Sequence, residues 1–441
     1  MNEREAQAFT DHFVEHNSID PSYYDRYDVK RGLRNSDGTG VLAGITNISN
    51  VHGYVVDEGD KKPIEGKLTF RGYDINDLVN RYVDSGRFGF EEICYLLMMG
   101  DLPTPEQSDK LKAQIETSRE LPNGFTAEHI MNTPSTNIMN QLQRCVAILY
   151  AYDPDNPDDI TPQHEFAVAL SLLSRLPRIA VLGYYAKRSF HYGESMIMHR
   201  HLPGQSTAET FLSMLRPNRE FTHDEAAMLD IMMMIHAEHG GGNNSTFTCR
   251  SLTSAGTDAY SAYAGAIGAL KGFRHGGANI KVVQMFDDIK EHVRNWEDDG
   301  QVADYLRKIL AGEAFDGAGL VYGMGHAVYT LSDPRAEICR SQAHRLLHGT
   351  EGEAGLALME KVAELTPELM AEKGVNKVVC PNVDMFSGMV YRALGIPDDL
   401  FTPLFACSRM AGWAAHRFEE MVSGKRIMRP AYKSISTETR C

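Results

Sequence analysis

Basic residues are in short supply in this chain. Its 441 residues include 44 lysines and arginines against 59 aspartates and glutamates, which gives a formal net charge of -15. A surface of that sign repels a phosphate backbone, so the composition argues against broad nucleic-acid binding. It does not exclude a small basic pocket for an anionic ligand. The acidity is otherwise that of a soluble, solvated surface.

The chain also lacks paired cysteines, a leader segment and long apolar runs. Its 7 cysteines are scattered without CxxC spacing, which is typical of free thiols in a reducing compartment and argues against a zinc module. The segment Met1–Ala8 has no apolar core of a secretory signal. The run Ile231–Ile235 is far too short to span a bilayer. We therefore expect a cytoplasmic protein without a membrane segment.

Strand signals are few, and helical periodicity dominates. Ser206–Glu209 and Thr222–Glu225 have the spacing of capping boxes, and each precedes an amphipathic stretch. A small hairpin is predicted near the N-terminus, over about residues 51–70. No βαβ alternation occurs, so the chain is not a doubly wound nucleotide-binding fold, and Gly323 and Gly325 are not a dinucleotide fingerprint. The pattern predicts an all-α protein, long enough for two domains.

Five short segments in the second half of the chain combine histidine, aspartate or arginine with glycine or small polar residues. Glycine permits close approach of backbone to a ligand. Three imidazoles, a carboxylate and an arginine suit carbon-acid chemistry, in which a proton is removed, an enolate is held and a carbonyl is polarised. The segments are His236–Thr246, His275–Asn279, Gly323–His326, Asp333–Arg335 and Pro381–Asp384.

His236 and His239 lie three residues apart where a helix is predicted to end. Two histidines on one helical face can bind zinc, but no HExxH motif occurs in the chain. We therefore expect no metal site, and we interpret His236 as a structural histidine. The dipole of the preceding helix favours the imidazolium form of His239, which suits a substrate carboxylate.

The other segments each permit a functional and a structural interpretation. A helix that begins at Ala278 would depress the pKa of His275, so that a neutral imidazole could donate a hydrogen bond to an enolate; the same histidine could instead cap a tight turn. The Asp-Pro pair before Arg335 is predicted to interrupt regular structure and to aim the guanidinium outward, toward a dicarboxylate or keto acid. Asp384 fits either a general base or a helix N-cap.

In this order, the segments resemble the citrate synthase family. The resemblance extends from Gly66–Asp74 through Phe401–Phe405 to Arg429-Pro430, and covers essentially the whole chain after about residue 40. It implies a transferase of the tricarboxylic acid cycle that converts an acyl group into an alkyl group on transfer. Acetyl-CoA would condense with oxaloacetate to citryl-CoA, which the enzyme hydrolyses to citrate and free CoA, without a metal or other cofactor.

The resemblance also assigns roles to single residues. Asp384 would remove the methyl proton of the thioester, His275 would stabilise the enol, and His326 would polarise the ketone of oxaloacetate. The residues implied to hold oxaloacetate or citrate are His239, Asn243, Arg335, Arg409 and Arg429. The residues implied to contact CoA are Arg274, Val321, Gly323, Gly325 and Asn382.

The family fold is nearly all-helical, and its domains map onto this chain by the same resemblance. The large domain would span 1–277 and 393–441, and a smaller helical domain, 278–392, would be inserted near the C-terminal end and rotate on substrate binding. A homodimer is implied, in which Arg429 reaches the neighbouring site. The sequence departs from the family pattern at Gly240, Arg274 and Thr330.

Two other functions stay open. A 2-methylcitrate synthase would use the same residues with propionyl-CoA, and a single methylene group in a pocket is worth only ~1–3 kcal/mol. A catalytically silent paralogue that acts as a binding partner is the other alternative. The presence together of His275, His326 and Asp384 argues against it.

Overall fold

The computed structural model describes residues 3–35, 39–57, 60–374 and 378–435. The chain forms two compact units, Met1–Gly44 with Arg429–Cys441 (the terminal unit) and Ile45–Met428 (the main unit). The terminal unit contains α1 (Glu3–Asn17), α2 (Ser22–Arg26) and a 3-10 turn, Arg31–Leu33. All five segments with candidate catalytic residues lie in the main unit.

Helices make up most of the main unit, which confirms the predicted all-α class. They are α3 (Ile75–Ser85), α4 (Phe90–Met99), α5 (Pro105–Thr117), α6 (Ile138–Leu149), α7 (Pro162–Tyr192), α8 (Thr207–Leu215), α9 (His223–His236), α10 (Asn244–Ser254), α11 (Ala259–Leu270), α12 (Ala278–His292), α13 (Asp299–Ala311), α14 (Pro334–Leu347), α15 (Gly352–Glu372), α16 (Asp384–Ala393) and α17 (Phe401–Ser423). Short 3-10 turns cover Tyr150–Tyr152 and Asp398–Leu400, and Thr126–Met131 is a π-helical turn.

The predicted hairpin is present and gains a third strand. Strands β1 (Ser49–Asp57) and β2 (Asp60–Phe70) pair antiparallel, and β2 pairs with β3 (Tyr73–Asp74). The register shifts between His52 and Tyr54, where three residues of β2 (64–66) lie opposite the single β1 residue Gly53. Glu58 and Gly59 of the predicted turn lie outside the described residues.

Both predicted capping boxes begin helices. The Ser206 side chain accepts a hydrogen bond from the Glu209 amide at the start of α8, and the Thr222 side chain accepts one from the Glu225 amide at the start of α9. In each box the glutamate carboxylate accepts a hydrogen bond from the amide of the capping residue. The helix α9 is buried through most of its length and ends at His236, which directs the chain into His236–Thr246.

The helix α17 is the centre of the main unit. It packs against α4, α7 and α10, and its side chains Arg409, Trp413 and Arg417 are fully buried. Arg417 pairs with Glu165, to which its Nε donates at 2.7 Å. The pair offsets the cost of burying the guanidinium. The helix α7 is long and apolar enough to cross a membrane by length and composition, but 72% of that window is buried within the protein, as in the core helix of a globular fold.

The predicted boundaries of the small domain coincide with helix ends. Ala278 begins α12 and Ala393 ends α16. The division of the chain at 278 and 392 nonetheless stays a prediction.

Candidate active site

Two loops that pair through their backbones position His326 and Asp384. The amide of Gly325 donates to the Cys380 carbonyl at 2.8 Å, and the amide of Asn382 donates to the Gly323 carbonyl at 2.9 Å. The Asn382 side chain strengthens the pairing, because its Nδ2 donates to the Gly325 carbonyl at 2.9 Å while its Oδ1 accepts from the Asp384 amide at 3.0 Å. Asn382, predicted to contact CoA, therefore has a structural task that the sequence did not reveal.

Glycine is required in the first of these loops. Gly323 and Gly325 have φ of 85° and 88°, in the left-handed region that side chains rarely adopt. A Cβ on Gly323 would also lie 3.0 Å from the Cα of Met385. The two glycines serve the loop geometry, in agreement with their exclusion as a dinucleotide motif.

His326 is held as a neutral imidazole with its proton on Nε2. Its Nδ1 accepts hydrogen bonds from the amides of Val328 at 3.0 Å and Tyr329 at 3.1 Å, so Nδ1 carries the lone pair. The ring also stacks on Tyr329, with centroids 4.7 Å apart and an interplanar angle of 26°. An Nε2–H donor fixed in this way is suited to polarise a carbonyl oxygen.

The hairpin supports the loop that follows His326. A Cβ on Gly53 would lie 2.7 Å from the Val328 carbonyl oxygen, and a Cβ on Gly66 would overlap the Ser332 carbonyl oxygen. The Gly66 amide donates to Ser332 Oγ at 3.1 Å. Thr330, one of the departures from the family pattern, donates through Oγ1 to the Gly53 carbonyl at 3.3 Å. The two glycines let β1 and β2 approach the loop as closely as backbone can.

His239 lies three residues beyond the end of α9, beside His326. Its Nε2 is 3.3 Å from Tyr329 Oη, and the two imidazole centroids are 5.0 Å apart. Burial, then the positive charge of Arg335, lowers the pKa of His239 well below its usual value. The predicted imidazolium form is therefore wrong for the ligand-free protein, because desolvation outweighs the dipole of a helix whose end lies a turn away.

His236 has the surroundings of a structural histidine. It is 1% exposed, and its Nδ1–H donates to the Met232 carbonyl at 2.7 Å. Burial lowers its pKa to about 3, so the ring is neutral and its donor is used inside α9. In the part of the chain that the structure describes, no group of three or more His, Cys, Asp or Glu side chains is arranged to hold a metal ion.

His275 is neutral as predicted, but for a different reason. Burial, followed by the charge of Arg409, lowers its pKa to about 4; the start of α12 at Ala278 is not the main cause. Its Nε2 lies 3.0 Å from both Asn243 Oδ1 and Ser245 Oγ. These contacts occupy Nε2, so Nδ1 is the nitrogen that can meet a ligand. Asn243, predicted to bind oxaloacetate, contacts His275 directly.

Arg335 is buried and paired, not aimed outward. Asp333 is the N-cap of α14 and Pro334 its first residue, so the Asp-Pro pair starts a helix where we predicted an interruption. Arg335 is 3% exposed, with Nε and Nη2 donating to the two Asp333 carboxylate oxygens at 3.1 and 2.7 Å. This pair leaves the Nη1–Nη2 edge of the guanidinium as the edge that can receive a second carboxylate.

Arg409 has the least satisfied cation of the site. It is 0% exposed, its Nε donates to the His236 carbonyl at 2.7 Å, and neither Nη1 nor Nη2 has a hydrogen-bond partner among the described residues. Burial lowers its pKa to about 10, opposed by the charge of Glu238, so the group is charged at neutral pH. Two buried, charged donors without partners are a strong indication of an anion-binding position.

Glu238 anchors the segment that carries His239, and the sequence had not singled it out. Burial alone would raise its pKa, but His416 and Ser49 hold the pKa at about 2. Oε1 accepts from Ser49 Oγ and His416 Nε2, both at 2.8 Å, and from the Gly240 amide. In the sequence, Glu238 suggested only an HExxH metal motif, which the chain does not contain.

Asp384 is a carboxylate with a raised pKa at the start of α16. Burial raises its pKa to about 6, and Arg335 opposes the rise. The N-cap of α16 is Val383, and no side chain caps the helix. Asp384 is the first residue of α16, where its amide donates to Asn382 Oδ1. The N-cap interpretation is therefore wrong. A carboxylate that is ionised at neutral pH and weakly solvated has the properties of a general base.

Three remaining candidates differ in exposure. Arg274 is exposed and stacks its guanidinium 5.4 Å from the ring of Phe273. Val321 is 6% exposed and packs in the core. Arg429 is exposed and belongs to the terminal unit. Their assigned contacts with CoA and with a neighbouring site stay predictions.

A mostly helical fold with this set of histidines, arginines and one aspartate belongs to a known class of enzymes. The family model described as "Citrate synthase, C-terminal domain" matches residues 35–431. The chain is therefore a member of the citrate synthase family.

Individual relatives agree with this assignment. The chain is 32% identical to the citrate synthase of Corynebacterium glutamicum over 85% of its own length and 82% of the relative's. It is also 32% identical to 2-methylcitrate synthase 1 of the same organism, over 92% and 96%. The structure resembles that of the citrate synthase from Thermoplasma acidophilum in ternary complex with carboxymethyl coenzyme A and oxaloacetate, with a TM-score of 0.75, 26% identity, and 93% and 97% of the two chains covered.

Proposed function

We propose that this protein is a citrate synthase that condenses acetyl-CoA with oxaloacetate and releases citrate and CoA. The observation that carries the proposal is Arg409, a fully buried guanidinium whose Nη1 and Nη2 have no partner among the described residues. Oxaloacetate brings two carboxylates and a ketone. The first carboxylate would satisfy Arg409, and the second would meet the Nη1–Nη2 edge of Arg335.

The ketone is activated by neutral donors in this proposal. His326 presents Nε2–H because its Nδ1 accepts two amides. A neutral imidazole polarises the carbonyl without adding a proton to it, and the carbonyl carbon becomes more electrophilic. Burial lowers the pKa of His239, and a bound oxaloacetate dianion would raise it again and favour protonation, because a nearby anion raises the pKa of a histidine.

Enolisation is the task of Asp384 and His275. Asp384 removes a methyl proton from the thioester, while His275 donates a hydrogen bond to the thioester oxygen and stabilises the enol. The enol carbon attacks the ketone carbon, and the ketone oxygen takes the proton from Nε2 of His326 to become the hydroxyl of citryl-CoA. The proton held by Asp384 balances the one that His326 gives up, and water then cleaves the thioester into citrate and CoA. No step needs a metal or a redox cofactor.

The acyl donor has a second candidate. The chain is as similar to a 2-methylcitrate synthase as to a citrate synthase, with 32% identity to each. Propionyl-CoA differs from acetyl-CoA by one methylene, and the same base, donor and arginines would serve both reactions. Citrate formation is the function we propose, with 2-methylcitrate formation as the alternative.

We also propose a cytoplasmic homodimer in which Arg429 completes the neighbouring site. That arrangement follows from the resemblance, and Arg429 is exposed in the terminal unit, which is compatible with it. Sedimentation of the purified protein and of Arg429→Ala, with oxaloacetate affinity measured for both, separates a role in assembly from a role in binding.

The test is release of free CoA thiol by the purified protein with oxaloacetate, given acetyl-CoA or propionyl-CoA in parallel. Faster release with acetyl-CoA supports citrate synthase, and a clear preference for propionyl-CoA moves the assignment to 2-methylcitrate synthase. No oxaloacetate-dependent release with either donor would contradict the proposal and favour the silent paralogue. Asp384→Ala is the matched negative control, because it removes the base and keeps the arginines.

A further inference from the structure

A second cleft, remote from the histidine site, has a volume of about 640 Å³. The turn at Gly86–Phe88, the helix α5 and the first turn of α8 form its walls. None of the residues assigned above to catalysis, oxaloacetate or CoA lines it. A volume of this size is ordinary for a small-molecule site.

Arg119 lines this cleft and is a buried cation with an unpartnered nitrogen. It is 4% exposed, and its Nη1 has no hydrogen-bond partner among the described residues. Burial lowers its pKa, while Glu91, Glu116 and Glu209 oppose this through charge alone. Each buried N–H of a guanidinium normally has an acceptor, so an acceptor from outside the chain would fit here.

The neighbouring carboxylates are committed elsewhere. Glu209 accepts from the Ser206 amide at 2.8 Å as part of a capping box. Glu116 accepts from the Gly204 amide at 3.3 Å. Both carboxylates accept hydrogen bonds from backbone amides of the cleft wall, so either would lose that bond if it turned to Arg119.

Glu91 supplies an unsatisfied group of the opposite sign. It is 2% exposed; Oε1 accepts from the Thr207 amide at 2.6 Å, and Oε2 has no partner. Buried carboxylate oxygens are as costly to leave unpaired as buried guanidinium nitrogens. Arg119 and Glu91 therefore present an unused donor and an unused acceptor to one cleft.

The charge balance of the lining selects the class of ligand. Its cations are Arg87, Lys112 and Arg119, and its anions are Glu91, Asp109, Glu116 and Glu209. Arg87 and Lys112 are already engaged by Glu92. A lining with four acidic and three basic side chains does not suit a polyphosphate, and it does suit a molecule that carries one charge of each sign.

We propose that this cleft binds a zwitterion of the α-amino acid class, with the carboxylate on Arg119 and the ammonium on Oε2 of Glu91. A carboxylate matches the planar fork of a guanidinium, and an ammonium supplies the donors that Glu91 lacks. The proposal is independent of the acyl donor and of the reaction at the histidine site.

The test is isothermal titration of the full-length protein with each common L-amino acid, and with acetate, ethylamine, inorganic phosphate and ATP as comparison probes. We expect saturable binding of at least one amino acid, and no binding of acetate or ethylamine at the same concentrations. Arg119→Gln and Glu91→Gln should each weaken that binding about tenfold or more, since each removes a charged hydrogen-bond partner. Arg188→Gln is the control, because Arg188 lies on α7, outside the cleft lining, and pairs with Glu194.

The proposal is overturned if no amino acid binds, if Arg119→Gln leaves the affinity unchanged, or if phosphate or ATP binds more tightly than every amino acid. Should Arg119→Gln fail to fold, Ala113→Phe replaces it. Ala113 is an exposed residue of the cleft wall, so the larger side chain blocks the cleft with Arg119 intact. Unchanged amino-acid binding in Ala113→Phe would equally overturn the proposal.

Discussion

Replacing Asp384 with asparagine should make the protein more stable at pH 8 and inactive in the same step. The pKa of this carboxyl is raised from an ordinary 3.8 to about 6, chiefly by burial. At about 1.4 kcal/mol per pH unit, ionisation of Asp384 costs the folded state about 3 kcal/mol at pH 8. Asparagine resembles the protonated acid in shape and has no such cost.

The sign and the pH window follow from the direction of the shift. The folded-state pKa lies above the unfolded one, so the folded protein holds the proton more tightly. The cost is complete above about pH 6 and is relieved as the pH falls toward 4. The advantage of Asp384→Asn should therefore decrease to about 1.6 kcal/mol at pH 5, while its lack of a base persists at every pH.

The assay is urea unfolding of the wild-type protein and Asp384→Asn at pH 8 and pH 5, beside the thiol-release assay. Asp84→Asn, at an exposed position of α3, is the control and should move neither quantity. A lower unfolding midpoint for Asp384→Asn at pH 8, or the same gain at both pH values, would refute the assignment of a costly buried carboxylate. Near-normal turnover would refute its role as the base.

Three further changes test the rest of the site. Arg409→Leu should weaken oxaloacetate binding at least ~100-fold, because a charge-assisted bidentate contact of about 3 kcal/mol is lost, and calorimetry of the variant measures this; an affinity within threefold of wild type would contradict the anion site. Arg335→Ala should lose oxaloacetate binding and also destabilise the fold by ~3 kcal/mol, since Asp333 is left as an unpaired buried charge; thermal unfolding beside calorimetry separates the two effects. Gly66→Ala should cost ~1–3 kcal/mol of stability and raise the KM for oxaloacetate, because its Cβ would overlap the Ser332 carbonyl oxygen. Gly44→Ala is the control and should change neither quantity, because the space around Gly44 is open. Equal effects of the two substitutions would show that the hairpin does not support the loop.

Local signals in the sequence were sufficient for the hairpin and for the starts of the helices. A capping box is complete within four residues, so Ser206–Glu209 and Thr222–Glu225 predict their helix starts without knowledge of the rest of the fold. The hairpin follows from alternation and a turn in the same way. The third strand, Tyr73–Asp74, is too short to leave a pattern.

Burial is what the sequence could not supply in the site. The protonation of His239 and the direction of Arg335 both depend on how deeply other helices cover them, and both predictions were wrong for that reason. The neutral state of His275 was predicted correctly but was attributed to a helix terminus, whereas desolvation is the larger cause. The anchoring role of Glu238 needs the partners Ser49 and His416, which lie far away in the sequence.

The pairing of the loops at Gly323–Gly325 and Cys380–Asn382 has a mechanical consequence. It links the loops that carry His326 and Asp384 through backbone hydrogen bonds, whereas Arg409 lies on α17 and His275 in the turn between α11 and α12. If the predicted small domain rotates, we expect the spacing between these two groups of residues to change more than the spacing between His326 and Asp384.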